Sequence, residues 1–230
     1  MPLYDTSLAN NTGGSSVSTD QTFSFTVGTN SNRWLGLWLN VIANSFPISG
    51  VTFNAAALTN RREKIHGSES FLRMQLWDII APDEGAHNVV IGVTGACRLA
   101  WGVVSLYDVH QTTPRGTIAD SEGSSTTPSL TVSSASGELV LDGVSPSGTR
   151  TLTQDGSQSL NAKIETFDCI GSSREAGAAS VAMDWTLDSS DLWIMIGLPL
   201  KPAPAGGTPV ESWHPPIERQ HLQKSEIIAY

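Results

Sequence analysis

Two tryptophans four residues apart, Trp34 and Trp38, are the side chains best suited to recognition in this sequence. They lie on one face of a run whose other face holds Leu35, Leu37, Leu39 and Val41. Three readings are open. Aromatic rings on an exposed sheet face can stack on sugar rings. The same rings can form a subunit interface, where Trp is enriched. Or the strand is buried on both faces. Arg61, Arg62 and Lys64, with His66 beside them, form the one basic cluster of an acidic chain. On an edge strand such charges block unwanted sheet pairing; they also suit contact with an acidic neighbouring protein. Trp213, Ile227, Ile228 and Tyr230 crowd the last thirty residues, where a solvated linker has no use for them. They are expected at an interface.

Residues that carry out reactions are harder to assemble. The five histidines, His66, His87, His110, His214 and His221, show no HxH or HExxH spacing. No GxSxG elbow and no phosphate-cradling GxxxxGK[ST] occurs. Glu165 and Asp168 are three apart, so in a strand they face opposite sides. Asp184 and Asp188 share a face but alternate with an apolar set, as a solvated outer face does. Asp83 and Glu84 lack the run of acids that an EF-hand calcium loop needs. No catalytic residue, metal ligand or cofactor is expected, and the chain is read as a non-enzyme.

Charge and length bound the partners. The 230 residues hold 13 Lys and Arg against 22 Asp and Glu, a net charge of −9. Such a surface repels phosphate backbones, so nucleic acid is not an expected partner. No apolar run approaches the roughly 18 residues of a membrane helix, and Met1 to Ala9 lacks the basic and apolar regions of a secretory signal. Folding in a cytosol is therefore expected. Cys97 and Cys169 are two small apolar residues or a single bridge; both readings are open.

The elements that must position these residues are strands. Phe23, Phe25 and Val27 alternate with Ser24 and Thr26; Val181, Met183, Trp185 and Leu187 alternate with Ala182, Asp184 and Thr186. That period of two is the strand signature. Further strands are expected at 50–54, 56–65, 70–80, 87–94, 99–109, 128–133, 137–144, 158–168 and 191–199, separated by turn signals such as Ala81 to Gly85. About eleven short strands without a convincing helix predict an all-β protein. The architecture expected is a two-sheet antiparallel sandwich of jelly-roll type over 21–200. A polar N-terminal arm is expected over 1–20 and an extended Pro-rich C-terminal arm over 201–230.

Several stretches, taken in order, resemble a β-sandwich domain of tailed-phage structural proteins and large bacterial surface proteins. They are VTFNAAALT (51–59), Leu76-Trp77 ahead of Ala81-Pro82, GAHNVV (85–90), VSLYDVHQTTP (104–114), GELV (137–140), ASVAMDWTL (179–187) and Trp193 through Pro202. The resemblance spans about residues 20–202. It implies a jelly-roll-like sandwich for display, adhesion or virion assembly, and it transfers no catalytic residue. The function expected is a virion structural protein: a capsid decoration (cement) or head-fibre protein that binds capsid or other virion proteins. A homo-oligomer is expected, a trimer first. The alternative is a glycan-binding module for surface adhesion, with Trp34 and Trp38 as its platform.

Overall fold

The computed structural model describes residues 1–45 and 47–204. These residues form strands and no helix. In chain order they are β1 (Leu3–Asn11), β2 (Gln21–Val27), β3 (Trp34–Ile42), β4 (Ile48–Phe53), β5 (Ala56–Ala57), β6 (Thr59–Ile65), β7 (Leu72–Ile80), β8 (Gly85–Val93), β9 (Arg98–Tyr107), β10 (Ala119–Ser125), β11 (Ser129–Val132), β12 (Leu139–Pro146), β13 (Leu152–Gln154), β14 (Ser159–Ile164), β15 (Ile170–Ala176), β16 (Val181–Leu187) and β17 (Asp191–Leu200). Every pairing between them is antiparallel.

Four sheets result rather than the two expected: β2-β8-β4-β5, β1-β9-β3-β7-β6, β10-β17-β12-β15-β14 and β11-β16-β13. Three hydrophobic cores separate them, so the sheets stack as four layers. The first core joins Phe25, Phe53 and Ile91 of the outer sheet to Leu35, Leu37, Leu39 and Val103. The second lies between the two five-stranded sheets and holds Trp34, Trp38, Met74, Val104, Leu141, Ile196 and Leu198. The third joins Val140, Val144 and Met195 to Leu130, Met183, Trp185 and Leu187. Both inner sheets are covered on both faces. This explains why β3, β9 and β17 are apolar at nearly every position, whereas β2 and β16 alternate.

The two halves repeat one strand order. In the first, β1-β9-β3-β7-β6 lies on β2-β8-β4; in the second, β10-β17-β12-β15-β14 lies on β11-β16-β13. Reading β1 as β10, β2 as β11, β3 as β12, β4 as β13, β6 as β14, β7 as β15, β8 as β16 and β9 as β17 matches the two orders, and only the two-residue β5 has no counterpart. Packing between the halves obeys the same exchange. Strand β9 touches β14 and β15, while β17 touches β6 and β7. Strand β1 lies along β14, and side chains tie β6 to β10. The halves are therefore joined as in an isologous dimer, with the interface inside one chain.

The polar segment 1–20 is not an arm. Strand β1 is an edge strand paired with β9 from Leu3↔Tyr107 to Asn11↔Ala100. Its Leu8 packs on the first core and its Ala9 on the second. The segment 201–204 stays on the body, where Val109 bridges Pro202 and the Ala203 amide donates to the Asp108 carbonyl at 2.7 Å. The rest of the expected C-terminal arm lies outside the described residues.

Candidate functional site

The seam between the halves has two polar rims, and each gathers residues of chemical interest. At the β6–β10 rim stands Asp78 of β7, wholly buried. Its Oδ2 accepts from Trp34 Nε1 at 2.9 Å. Its Oδ1 accepts from Arg61 Nε at 2.7 Å and from Arg115 Nη2 at 2.7 Å, and Arg115 Nε pairs with Oδ2. Arg115 belongs to the segment joining the halves, so this carboxylate fixes the connector to both β3 and β6. Further along the rim, Arg62 pairs with Asp120. Lys64 Nζ sits 3.4 Å from both Asp120 and Glu122. The Gly67 amide donates to Glu122 at 3.0 Å, and His66 Nε2 lies 3.2 Å from the Gly123 carbonyl oxygen.

The structure selects among the readings left open: β6 is an edge strand, and the strand of Trp34 and Trp38 is buried on both faces. Arg61, Arg62 and Lys64 do meet acidic groups, but those groups are the chain's own Asp78, Asp120 and Glu122. Trp34 and Trp38 are fully buried in the core between the halves, so they offer no surface to a sugar or to another subunit. Trp38 Nε1 crosses the seam to donate to the Ile196 carbonyl at 2.9 Å. The physical reason is the second inner sheet, which covers the face of β3 that a two-layer sandwich would leave open. Trp213, Ile227, Ile228 and Tyr230 lie outside the described residues.

The β1–β14 rim is built differently. Ser7 Oγ donates to the Asn161 carbonyl at 2.6 Å, and Arg174 stacks its guanidinium 4.1 Å from the centroid of Tyr4. Asn11 Nδ2 donates to the carbonyls of Thr166 and Asp168, the latter at 3.0 Å. This clamps the loop 165–169 onto the end of β1. Where the rim ends, the loops leave a cavity of about 190 Å³. Gly14 and Arg98 line it from the first half; Thr149, Phe167 and Asp168 line it from the second. Arg98 Nη2 lies 3.2 Å from Asp168 Oδ1. Asp168 Oδ2 is buried and has no hydrogen-bond partner. Burial pushes the Asp168 carboxyl above its ordinary range, and the Arg98 charge opposes that rise.

Phe167 beside it is 58 % exposed and holds a left-handed φ of 60°, a conformation that costs a side chain with a Cβ about 1–2 kcal/mol. A Cβ on Gly14 would stand 2.6 Å from Phe167 Cδ1, and Gly14 itself has a φ of +73°. The aromatic ring therefore lies against bare backbone.

Compared with protein-family models, curated proteins and solved structures, the chain matches none. The rim and its cavity stand on their own geometry.

The remaining titratable groups serve the cores. Asp142 is fully buried and accepts from Trp185 Nε1 at 2.7 Å and from Ser173 N and Oγ at 2.8 and 2.7 Å. Burial pushes its carboxyl up to about 6 against those hydrogen bonds. Cys97 and Cys169 are both free thiols. They sit in the first and third cores, two sheets apart, so they form no bridge. Among the described residues no group of three His, Cys, Asp or Glu could hold a metal ion. Sequence reading missed Arg98 and Phe167. It considered Asp168 only with Glu165, three positions away, whereas the partner that counts is Arg98 from the other half.

Proposed function

We propose that this chain is a non-enzymatic virion structural protein of a tailed phage, a capsid decoration or head-fibre protein, built from two jelly rolls fused back to back. Within each half the first sheet follows strand order 1-8-3-6-5 and the second 2-7-4. In the first half the short β5 pairs beside β4 before the chain crosses to β6, and the 1-8-3-6 and 2-7-4 parts of the order support the jelly-roll reading. The observation that carries the reading is the use of the polar clusters. Arg61, Arg62, Lys64, Asp78, Arg115 and Asp120 lock the halves into one rigid block, which suits a part that bears load. The resemblance of residues 20–202 to phage structural domains points the same way. The partners proposed are capsid or other virion proteins and further copies of this chain, a trimer first. The segment 205–230, with Trp213, Ile227, Ile228 and Tyr230, supplies the proposed contacts, and many small contacts then act together through multivalency.

The test is composition of purified particles. Mass spectrometry of gradient-purified virions from the source of this gene should detect the chain in many copies per particle. A truncation after Pro202 should fold, with the circular dichroism of the parent, and be missing from those particles. Absence of the full chain from virions overturns the reading.

A further inference from the structure

The four sheets end in eight edge strands, and an edge left open is a template for pairing with another chain. Seven of the eight carry a device that discourages it. Strands β5, β13 and β11 have only two, three and four residues. Strand β6 has Arg61, Arg62, Glu63 and Lys64, and its register breaks between Asn60 and Arg62. Strand β10 has Asp120 and Glu122. Strand β14 has Lys163 and a register break between Leu160 and Ala162. Strand β1 has a break between Tyr4 and Thr6 and lies along β14. The exception is β2: seven residues, QTFSFTV, with no charge, no proline and no bulge.

The outer edge of β2 is open. On β8 the Asn88 carbonyl accepts from the Asn54 amide at 3.0 Å, on the β4 side. Ser24 is the β2 partner of Asn88, and successive residues of an antiparallel ladder bond to opposite sides. Phe23 and Phe25 therefore bond to β8, while Thr22, Ser24 and Thr26 turn their N–H and C=O groups outward. None of those six groups has a partner among the described residues. The three side chains are exposed. Phe25 is buried, and Phe23, stacked on Trp101 at 5.1 Å, is half-buried at the rim of the first core.

The sequence of β2 points to its occupant. Thr22-Phe23-Ser24-Phe25-Thr26 reads the same in both directions. An antiparallel copy centred on Ser24 sets Ser24 against Ser24, Thr22 against Thr26 and Phe23 against Phe25. Hydroxyl pairs and aromatic pairs of this kind stabilise sheets. The outward N–H and C=O groups of the two copies satisfy one another, and a two-fold axis perpendicular to the sheet generates the arrangement.

We propose that β2 is an assembly edge: two copies of this chain pair antiparallel through β2 about a two-fold axis at Ser24, joining two four-stranded outer sheets into one continuous sheet. The contact is independent of the virion reading and of the segment 205–230, so the particle test neither supports nor opposes it.

The experiment is light scattering of the full chain, joined to disulfide trapping. The mass should be an even multiple of one chain. Ser24→Lys sets like charges directly opposite each other; it should halve that mass and, at an exposed position, keep the parent's Tm. Ser24→Cys should form an inter-chain disulfide on mild oxidation, because the two Cα atoms of a directly opposed pair stand about 5.5 Å apart. Thr22→Cys should not, because its counterpart lies four residues along the ladder, roughly 14 Å away. Thr22→Cys combined with Thr26→Cys should restore the cross-link. The native Cys97 and Cys169 are buried and stay out of the reaction. Three outcomes overturn the proposal: a mass of one or three chains, a mass unchanged by Ser24→Lys, or cross-linking as fast at Thr22→Cys as at Ser24→Cys. The single-chain mass is the result expected if residues 205–230 or a different protein occupies the edge.

Discussion

Glycine at position 143 makes the packing of the two inner sheets testable. Gly143 of β12 faces Trp38 of β3 across the seam, and a Cβ added there would stand 2.3 Å from Trp38 Cδ1 and 2.6 Å from Cγ. Carbon atoms in contact prefer about 3.5–4.0 Å. The indole has nowhere to go, because it is fully buried and its Nε1 is tied to the Ile196 carbonyl. Gly143→Ala should therefore cost about 3 kcal/mol, the upper end of ordinary overpacking. Gly102→Ala is the control. Gly102 pairs with Trp38 inside its own sheet, yet its added Cβ would meet only Ser172 Cβ at 3.9 Å, so its cost should stay below about 1 kcal/mol. Trp38→Ala should cost about 3–5 kcal/mol. In the double variant the vacated indole space accepts the new methyl, so the sum should fall short by about 1–3 kcal/mol. Urea unfolding followed by circular dichroism and fluorescence gives each free energy. Additivity within about 0.5 kcal/mol would mean the sheets do not meet through this pair, and the four-layer stack would be wrong.

Asp142 sets a pH dependence. Its folded pKa of about 6 lies above the ordinary value, so the folded chain holds a proton that the unfolded chain releases. The stability this group contributes is largest below about pH 4 and falls by roughly 3 kcal/mol as pH rises to about 6, then stays level. Comparing the parent with Asp142→Asn by urea unfolding across that window should show the gap between them shrinking as pH rises. Asp78→Asn leaves Arg61 and Arg115 facing each other without a charge between them and should cost about 3–5 kcal/mol, measured by the same unfolding. Asn40 is fully buried, and neither amide atom has a partner. Asn40→Leu, close in shape, should raise stability by about 1–3 kcal/mol, and a drop in Tm would refute that account.

What the sequence disclosed follows from which faces are buried. Strands with one apolar face, β2 and β16, were plain, and the near-continuous apolar runs of β9 and β17 are those of strands covered on both sides. Strands β1, β10 and β15 were not legible. Their sequences, LYDTSLANN, ADSEGSS and IGSSREA, carry too few apolar residues to alternate. Two are edges where polar residues meet water, and β15 buries Ser172 and Ser173 through hydrogen bonds rather than apolarity. Losing those strands hid the duplication, because the strands that were expected fit one two-sheet body. It also made Trp34 and Trp38 look like a platform, since nothing in their own strand shows what covers it. The Arg98–Asp168 pair brings together residues seventy positions apart, and no local spacing announces it.

An isologous pair of separate subunits must carry every seam feature twice, once at each end of its axis, and it falls apart on dilution. This chain escapes both conditions. One rim holds the arginine and carboxylate lock, the other holds the cavity, and neither duplicates the other. A particle built from such chains would therefore display one cavity per polypeptide, all with the same polarity relative to the lock, whatever the concentration at which the parts were made.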